Sequence, residues 1–106
     1  MKVIAFAGGV GGAKLANGLA QLLKPEEFSI IVNNGDDFVY SCLYISPDLD
    51  TVTYTLAGIN DPKNGWGIVG DSYFVLDSLY KIGHPVWFTL GDRDIATHIE
   101  RTRLIS

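Results

Sequence analysis

Apolar residues follow two rhythms along this chain. The run KVIAFAG is short, nearly continuous and β-branched at Val3 and Ile4, which predicts a strand buried on both faces, as in a parallel sheet. Glycines end it. AKLANGLAQLL then places Leu15, Leu19, Leu22 and Leu23 at helical spacing, and Pro25 closes the helix. FSIIVN is a second strand-like run. Strand, glycine turn, helix and strand make a βαβ unit, for which a right-handed crossover is expected.

The rhythm continues. SPDLDTVTYTLAG predicts a helix with Ser46 or Asp48 as cap, Pro47 in its first turn, Leu49, Val52, Tyr54 and Leu56 inward, and Gly58 at its end. NDPKNGWG reads as a loop around Trp66. DSYFVLDSLYKIG predicts a helix with Phe74, Val75, Leu79 and Ile82 on one face, capped by Asp71 and stopped by Gly83 and Pro85. VWFTL predicts a third strand, and DIATHIERTRLI a last helix with Ile95, Ile99 and the stem of Arg103 on one side. Strands alternating with helices predict an α/β fold: an open, mostly parallel Rossmann-like sheet with helices on both faces.

Composition narrows the function classes. The 106 residues, 47% of them hydrophobic, suffice for a single domain over 1–106. A formal net charge of -4 and no basic stripe argue against nucleic acid. No apolar run is long enough to span a bilayer. MKVIAFAGGVGG lacks the pattern of a signal peptide. The single cysteine, Cys42, excludes an intrachain disulfide, fits a reducing cytoplasm and is expected as a small buried residue.

Chemistry is expected at the carboxyl ends of strands, where ligands of open α/β sheets gather. Three such ends carry unusual residues. In AGGVGGAK, Gly8, Gly9, Gly11 and Gly12 let backbone N–H groups approach an anion, the helix adds its positive end, and Lys14 adds a charge. The P-loop pattern fails, because Ala13 separates Gly12 from Lys14 and Leu15 follows. The dinucleotide pattern fails too, with Lys14 at its third glycine and Asn33 at its acidic position. Phosphate binding is favoured over a tight turn that only packs helix on strand. In NNGDD, Gly35 permits a sharp turn and Asp36 and Asp37 project beyond it, either toward magnesium or as a solvated Asx-capped turn. In SPDLD, Asp48 suffices as a cap, which leaves Asp50 to share one metal with Asp36 if this helix start faces the same edge. In GDRDIATH, Asp92 is expected to cap the last helix. Arg93 either pairs with Asp94 or contacts a phosphate, and His98 shares a face with Asp94. Trp66 and Trp87 read as packing residues, with stacking of Trp66 on a planar ring the alternative.

These motifs, AGGVGGAK, VNNGDD, ISPDLDTVTYTLAG, GWG and WFTLGDRDIATHIERT, occur in the same order in the 2-phospho-L-lactate transferases of coenzyme F-420 biosynthesis, which the chain resembles over essentially its whole length. The resemblance implies transfer of a phospholactyl or phosphoenolpyruvyl group. The donor would be a guanosine-diphosphate ester, the acceptor a ribityl hydroxyl of the deazaflavin Fo (7,8-didemethyl-8-hydroxy-5-deazariboflavin), and GMP would be released with magnesium as cofactor. By position it implies donor contacts from Gly8, Gly9, Gly11, Gly12, Lys14 and Arg93, magnesium on Asp36 and Asp50, and deazaflavin contacts from Asp50 and Thr89. Asp37, Asp92, Asp94 and His98 follow as further ligand contacts. The family's chains are longer, so the expectation is the N-terminal portion of such a transferase, cytoplasmic, with a homodimer as a further expectation. The competing reading is a non-enzymatic regulator that binds a nucleotide sugar on a related scaffold.

Overall fold

The computed structural model describes residues 2–106. Strand β1 (Val3–Ala7) pairs in parallel with β2 (Phe28–Val32), Val3 opposite Phe28 and Ala7 opposite Val32. Helix α1 (Val10–Leu22) makes the crossover, with a short 3-10 turn at Pro25–Glu27 before β2. An antiparallel hairpin of β3 (Phe38–Tyr40) and β4 (Leu43–Ile45) follows. Helices α2 (Pro47–Ala57), α3 (Phe74–Lys81) and α4 (Asp92–Ile105) complete an α/β architecture built on a small parallel sheet. No helix is long and apolar enough to cross a membrane among the described residues.

The first core is made of small side chains. Ala7 of β1, Ala13 and Ala16 of α1 and Val52 of α2 are buried together, with Ile30 and Val32 of β2 against them. Alternation along a strand sends Ile4, Phe6 and Ile31 to the opposite face, which is exposed. The inward stripe of α1 is therefore alanine. Leu15 and Leu22, expected inside, are exposed, because a helix that approaches a sheet this closely leaves room for a methyl and not for an isobutyl group. The approach is closest at Gly12, where an added Cβ would stand 2.7 Å from the Cβ of Ala7.

The second core joins Tyr40, Ile45 and Leu90, flanked by Phe38, Leu43, Phe88 and Ile95. The hairpin turns on Ser41 and Cys42, both at positive φ (52° and 65°), which matches the right-handed twist of the strands it joins. Cys42 stands at that tip and is exposed, contrary to the buried position expected of it. Val86–Leu90, expected as a third strand, pairs with no strand. The edge of β4 at Tyr44 is already occupied by α4: its N–H donates to Thr102 Oγ1 (2.8 Å) and its carbonyl accepts from Arg101 (3.0 Å). Val86–Leu90 packs instead by side chains: Phe88 is edge-on to Phe38 and Tyr40, and Trp87 is edge-on to Tyr40 and tilted on Phe38, at centroid distances of 5.0–6.4 Å.

The helix faces differ from the expected stripes. In α2, Val52 and Tyr54 are buried as expected, while Leu49 and Leu56 are exposed and Asp50 is buried. In α3, Phe74, Val75 and Ile82 are exposed. In α4, Ile99 is exposed, and the buried residues are Asp94 and His98.

Helices α3 and α4 begin side by side and exchange caps. The expected assignment, Asp71 for α3 and Asp92 for α4, is reversed. Asp92 accepts from the N–H groups of Phe74 (3.0 Å) and Val75 (2.9 Å), and Asp71 from those of Arg93 (2.9 Å) and Asp94 (3.2 Å). Each carboxylate thus satisfies amides that a helix start leaves without partners. The N–H of Val75 and the hydroxyl of Ser72 hold the Asp92 carboxyl below the usual range. Gly91 makes the exchange possible, since a Cβ there would lie 2.0 Å from Asp71 Oδ2. Gly91→Ala is expected to expel the Asp71 carboxylate and cost about 0.5–2 kcal/mol, the usual loss of an N-cap. Denaturant unfolding of the variant beside the parent chain measures it.

Candidate functional site

The glycine loop, the acidic turn and the start of α2 meet. Asn33 N–H donates to the carbonyl of Ala7 (2.9 Å) at the end of the β1–β2 pair. Its side-chain oxygen accepts from Gly35 N–H (3.1 Å), and its amide nitrogen donates to Asp48 Oδ2 (2.9 Å). The Ser46 hydroxyl donates to Asp37 (2.9 Å). Asp37 and Asp48 therefore tie the turn to α2, a structural use of two of the four acids. Asp36 remains exposed beside them.

The four glycines divide by surroundings. Gly12 is required by packing, as the Ala7 contact shows, and a Cβ on Gly9 would stand 3.1 Å from Asp48 Oδ1. Gly8 and Gly11 face open space. Helix α1 starts with no side-chain cap and no acid in its first turn, next to Gly8 and Gly11, with the Asp48 carboxylate of α2 against Gly9. Lys14 is exposed on the next turn. Arg93 is exposed on the first turn of α4, and the pairing with Asp94 considered for it is absent: Asp94 takes the Tyr54 hydroxyl instead (2.5 Å).

Asp50 and Thr89 line one cavity of about 420 Å³ between α2, the Trp66 loop, Val86–Leu90 and α4. One part of its wall is apolar and aromatic, from Ile45, Trp66, Trp87 and Phe88; the other is polar, from Asp50, Tyr54, Asp94 and His98. A mostly apolar concavity with a few converging polar groups is the usual form of a small-molecule site. Trp66 and Trp87 are 46% and 66% exposed, so both rings keep free surface.

The polar groups form one buried network. Arg101 pairs through Nη2 with Asp50 Oδ1, while Asp50 Oδ2 lies 3.5 Å from His98 Nδ1. His98 Nε2 lies 3.2 Å from Asp94 Oδ2, yet this buried nitrogen makes no hydrogen bond among the described residues. Asp50, Asp94 and His98 offer ligand atoms within 4.8 Å of one another. The structure thus groups Asp50 with Asp94 and His98, and Asp36 stands outside that group. Arg101 went unnoticed in the sequence, although it lies three residues beyond His98 on the same helix, a spacing that places side chains on one face.

Burial pushes the Asp50 carboxyl up to about 6, against the opposing pull of Arg101 and His98. Burial, followed by the hydrogen bond to Asp94, pushes the Tyr54 hydroxyl up. A carboxyl with a raised folded-state pKa stabilises the fold fully below its unfolded value of 3.8, and that contribution is lost as pH rises through about 6. Removing the charge by Asp50→Asn is expected to flatten this part of the stability profile between about pH 4 and 6, an effect of roughly 1–2 kcal/mol after solvent screening. Urea unfolding at stepped pH measures the difference. The glycines supply a second expectation. Gly12→Ala should lose about 1–3 kcal/mol to overpacking against Ala7, while Gly11→Ala leaves the fold intact, as thermal unfolding of both variants would show.

Comparison with known proteins places the chain among its relatives. The family profile described as 2-phospho-L-lactate transferase CofD matches residues 3–106. A phosphoenolpyruvate transferase of Thermobifida fusca is 42% identical over 115 aligned residues, covering 100% of this chain and 36% of that protein. The phosphoenolpyruvate transferase of Streptomyces coelicolor is 44% identical over 100% of this chain and 34% of its own length, and that of Nocardia farcinica 46% identical over 98% and 32%. The chain spans about a third of the length of these relatives. With the match covering the glycine loop, the acidic turn and the whole lining of the cavity, the chain belongs to the 2-phospho-L-lactate transferase CofD family.

Proposed function

We propose that this domain supplies the acceptor pocket and part of the donor site of a magnesium-dependent transferase. The reaction moves a phospholactyl or phosphoenolpyruvyl group from a guanosine-diphosphate ester to the ribityl hydroxyl of Fo, and GMP leaves. The observation that carries the reading is the two-part cavity that holds both Asp50 and Thr89. Its aromatic part, with Trp66 and Trp87, suits a planar ring, and its acid and imidazole part suits a hydroxylated chain. The uncapped start of α1 at Gly8 and Gly11, with Lys14 and Arg93 as outlying cations, suits the donor's phosphates.

A magnesium ion, where bound, would be held by the Asp50 carboxylate, beside which Asp94 and His98 offer further ligand atoms while Asp36 stands outside the group, and would offset charge on the phosphate oxygens. The donor chemistry fits. Asp36 is exposed, and Asp50 Oδ2 accepts no hydrogen bond among the described residues. The desolvation that raises the Asp50 pKa marks a buried charge that Arg101 compensates only in part. The chain's own residues orient the acceptor: the cavity walls exclude water from its ring, and the polar cluster fixes its hydroxyl, so most of the rate enhancement comes from positioning and electrostatics.

Titrating the chain with Fo is expected to quench tryptophan fluorescence, and Trp66→Leu and Trp87→Leu should each weaken binding by about 0.5–1.5 kcal/mol, the worth of one aromatic contact. Release of GMP on adding magnesium and the donor ester measures turnover. Binding of a nucleotide sugar with no response to Fo would refute the reading in favour of a regulator.

A further inference from the structure

We infer that Val10 is a positioning residue for the cavity: it props the Trp66 loop at Gly65 and so keeps the Trp66 ring in place as a cavity wall. The consequence for ligand binding rests on the cavity being an acceptor site, and the prop itself does not.

Val10 is a branched side chain among four glycines, the first residue of α1, and 47% exposed, so the packing of α1 on the sheet does not account for it. Its surroundings do. A Cβ placed on Gly65 would stand 3.5 Å from Val10 Cγ2, and no other atom beyond the chain neighbours of Gly65 comes within 4 Å of that point among the described residues. The valine methyl thus faces Gly65 across the space a side chain would fill. Trp66 follows, set between Gly65 (φ 78°) and Gly67 (φ 76°), both in the left-handed region. A ring between two glycines has the widest backbone freedom a chain offers, so a contact from outside is what keeps it in one place. The base of the loop is fixed by its own hydrogen bonds: Asn60 bridges Ile68, Val69 N–H donates to the Ile59 carbonyl (2.9 Å) and Gly65 N–H to that of Asp61 (2.9 Å). The tip is less enclosed, since a Cβ on Gly67 would meet nothing within 4 Å. Val10 suits the task. It is branched at Cβ and therefore stiff at χ1, and it rides on a helix start that Gly12 sets close against Ala7. Trp66 and Gly67 both line the cavity, so the packing of α1 on β1 reaches a cavity wall through Val10 and Gly65. A ring held before the ligand arrives loses less freedom on binding.

The chain has two tryptophans, so on a Trp87→Phe background the indole emission reports Trp66 alone. Val10→Ala keeps α1, because alanine has the higher helix propensity and the position is half exposed. It is expected to raise the acrylamide quenching of Trp66 and to lower its fluorescence anisotropy, while Val10→Ile retains the parent values. Unchanged quenching and anisotropy in Val10→Ala would overturn the prop. With Trp87 in place, calorimetric titration with Fo should show affinity falling by about two- to tenfold in Val10→Ala, the worth of one aromatic contact. Added to Trp66→Leu, Val10→Ala should cost nothing more, because its effect passes through the ring. A further loss of the same size in the double variant would sink the positioning role, leaving Val10 a merely structural residue. If Fo binds none of these chains, the acceptor-site reading falls, and the quenching result still decides the prop.

Discussion

The buried pair between Asp50 and Arg101 is the constraint around which the candidate site is arranged. It joins α2 to α4, and the same guanidinium braces the backbone of β4 and the ring of His98. Burying these charges is costly, and a pair of this kind is poor evidence for stability, because an apolar substitute often does as well. Its justification is positional. It faces Oδ2 of a desolvated carboxylate and one nitrogen of an imidazole toward a cavity whose other walls are aromatic. The raised Asp50 pKa is the electrostatic trace of that arrangement: desolvation outweighs the guanidinium.

Carboxylates elsewhere in the fold serve different ends. Asp71 and Asp92 exchange helix caps, Asp37 and Asp48 fasten a turn to a helix, and Asp61 accepts from the backbone N–H of Lys63 in the Trp66 loop. Each of these accepts hydrogen bonds from neutral N–H or O–H donors. Asp50 pairs with a cation through Oδ1 and Asp36 stands exposed, so these two acids serve neither a helix cap nor a turn. The glycine loop divides in the same way. Gly12 is needed where helix meets strand, and Gly8 and Gly11 leave backbone open at a helix start. One motif thus serves packing and ligand access together, which explains why the choice between the two could not be made from spacing alone.

Much of the architecture was legible because it rests on local signals. The first βαβ unit, the bounds of α2 and the loop around Trp66 follow from apolar period, proline and glycine. The failures share a cause: they depend on what lies across space. Leu15 and Leu22 carry the helical period but not the burial, because the contact distance is set by Ala7 and Gly12. VWFTL has strand composition, yet α4 occupies the edge of β4. The hairpin was passed over because Ser41 and Cys42 lack the glycine or asparagine that usually marks a positive-φ turn. Within the site, Asp50 and Thr89 were named from the family resemblance, and both line the cavity. Arg101, seven residues from Asp94 and three from His98, had a detectable helical spacing but no partner visible in one dimension.

Sequence by itself determined the kind of elements, their order and the residue types available for chemistry, because backbone propensity and amphipathic period act over a few residues. Tertiary structure alone decided which helix each aspartate caps, which glycines must stay small, and that Asp50, Tyr54, Asp94 and His98 share one wall of a cavity with Arg101 paired to Asp50 behind it. Those outcomes depend on distances between segments about 20 to 50 residues apart. Such distances are set by how whole helices pack, and no local pattern encodes them.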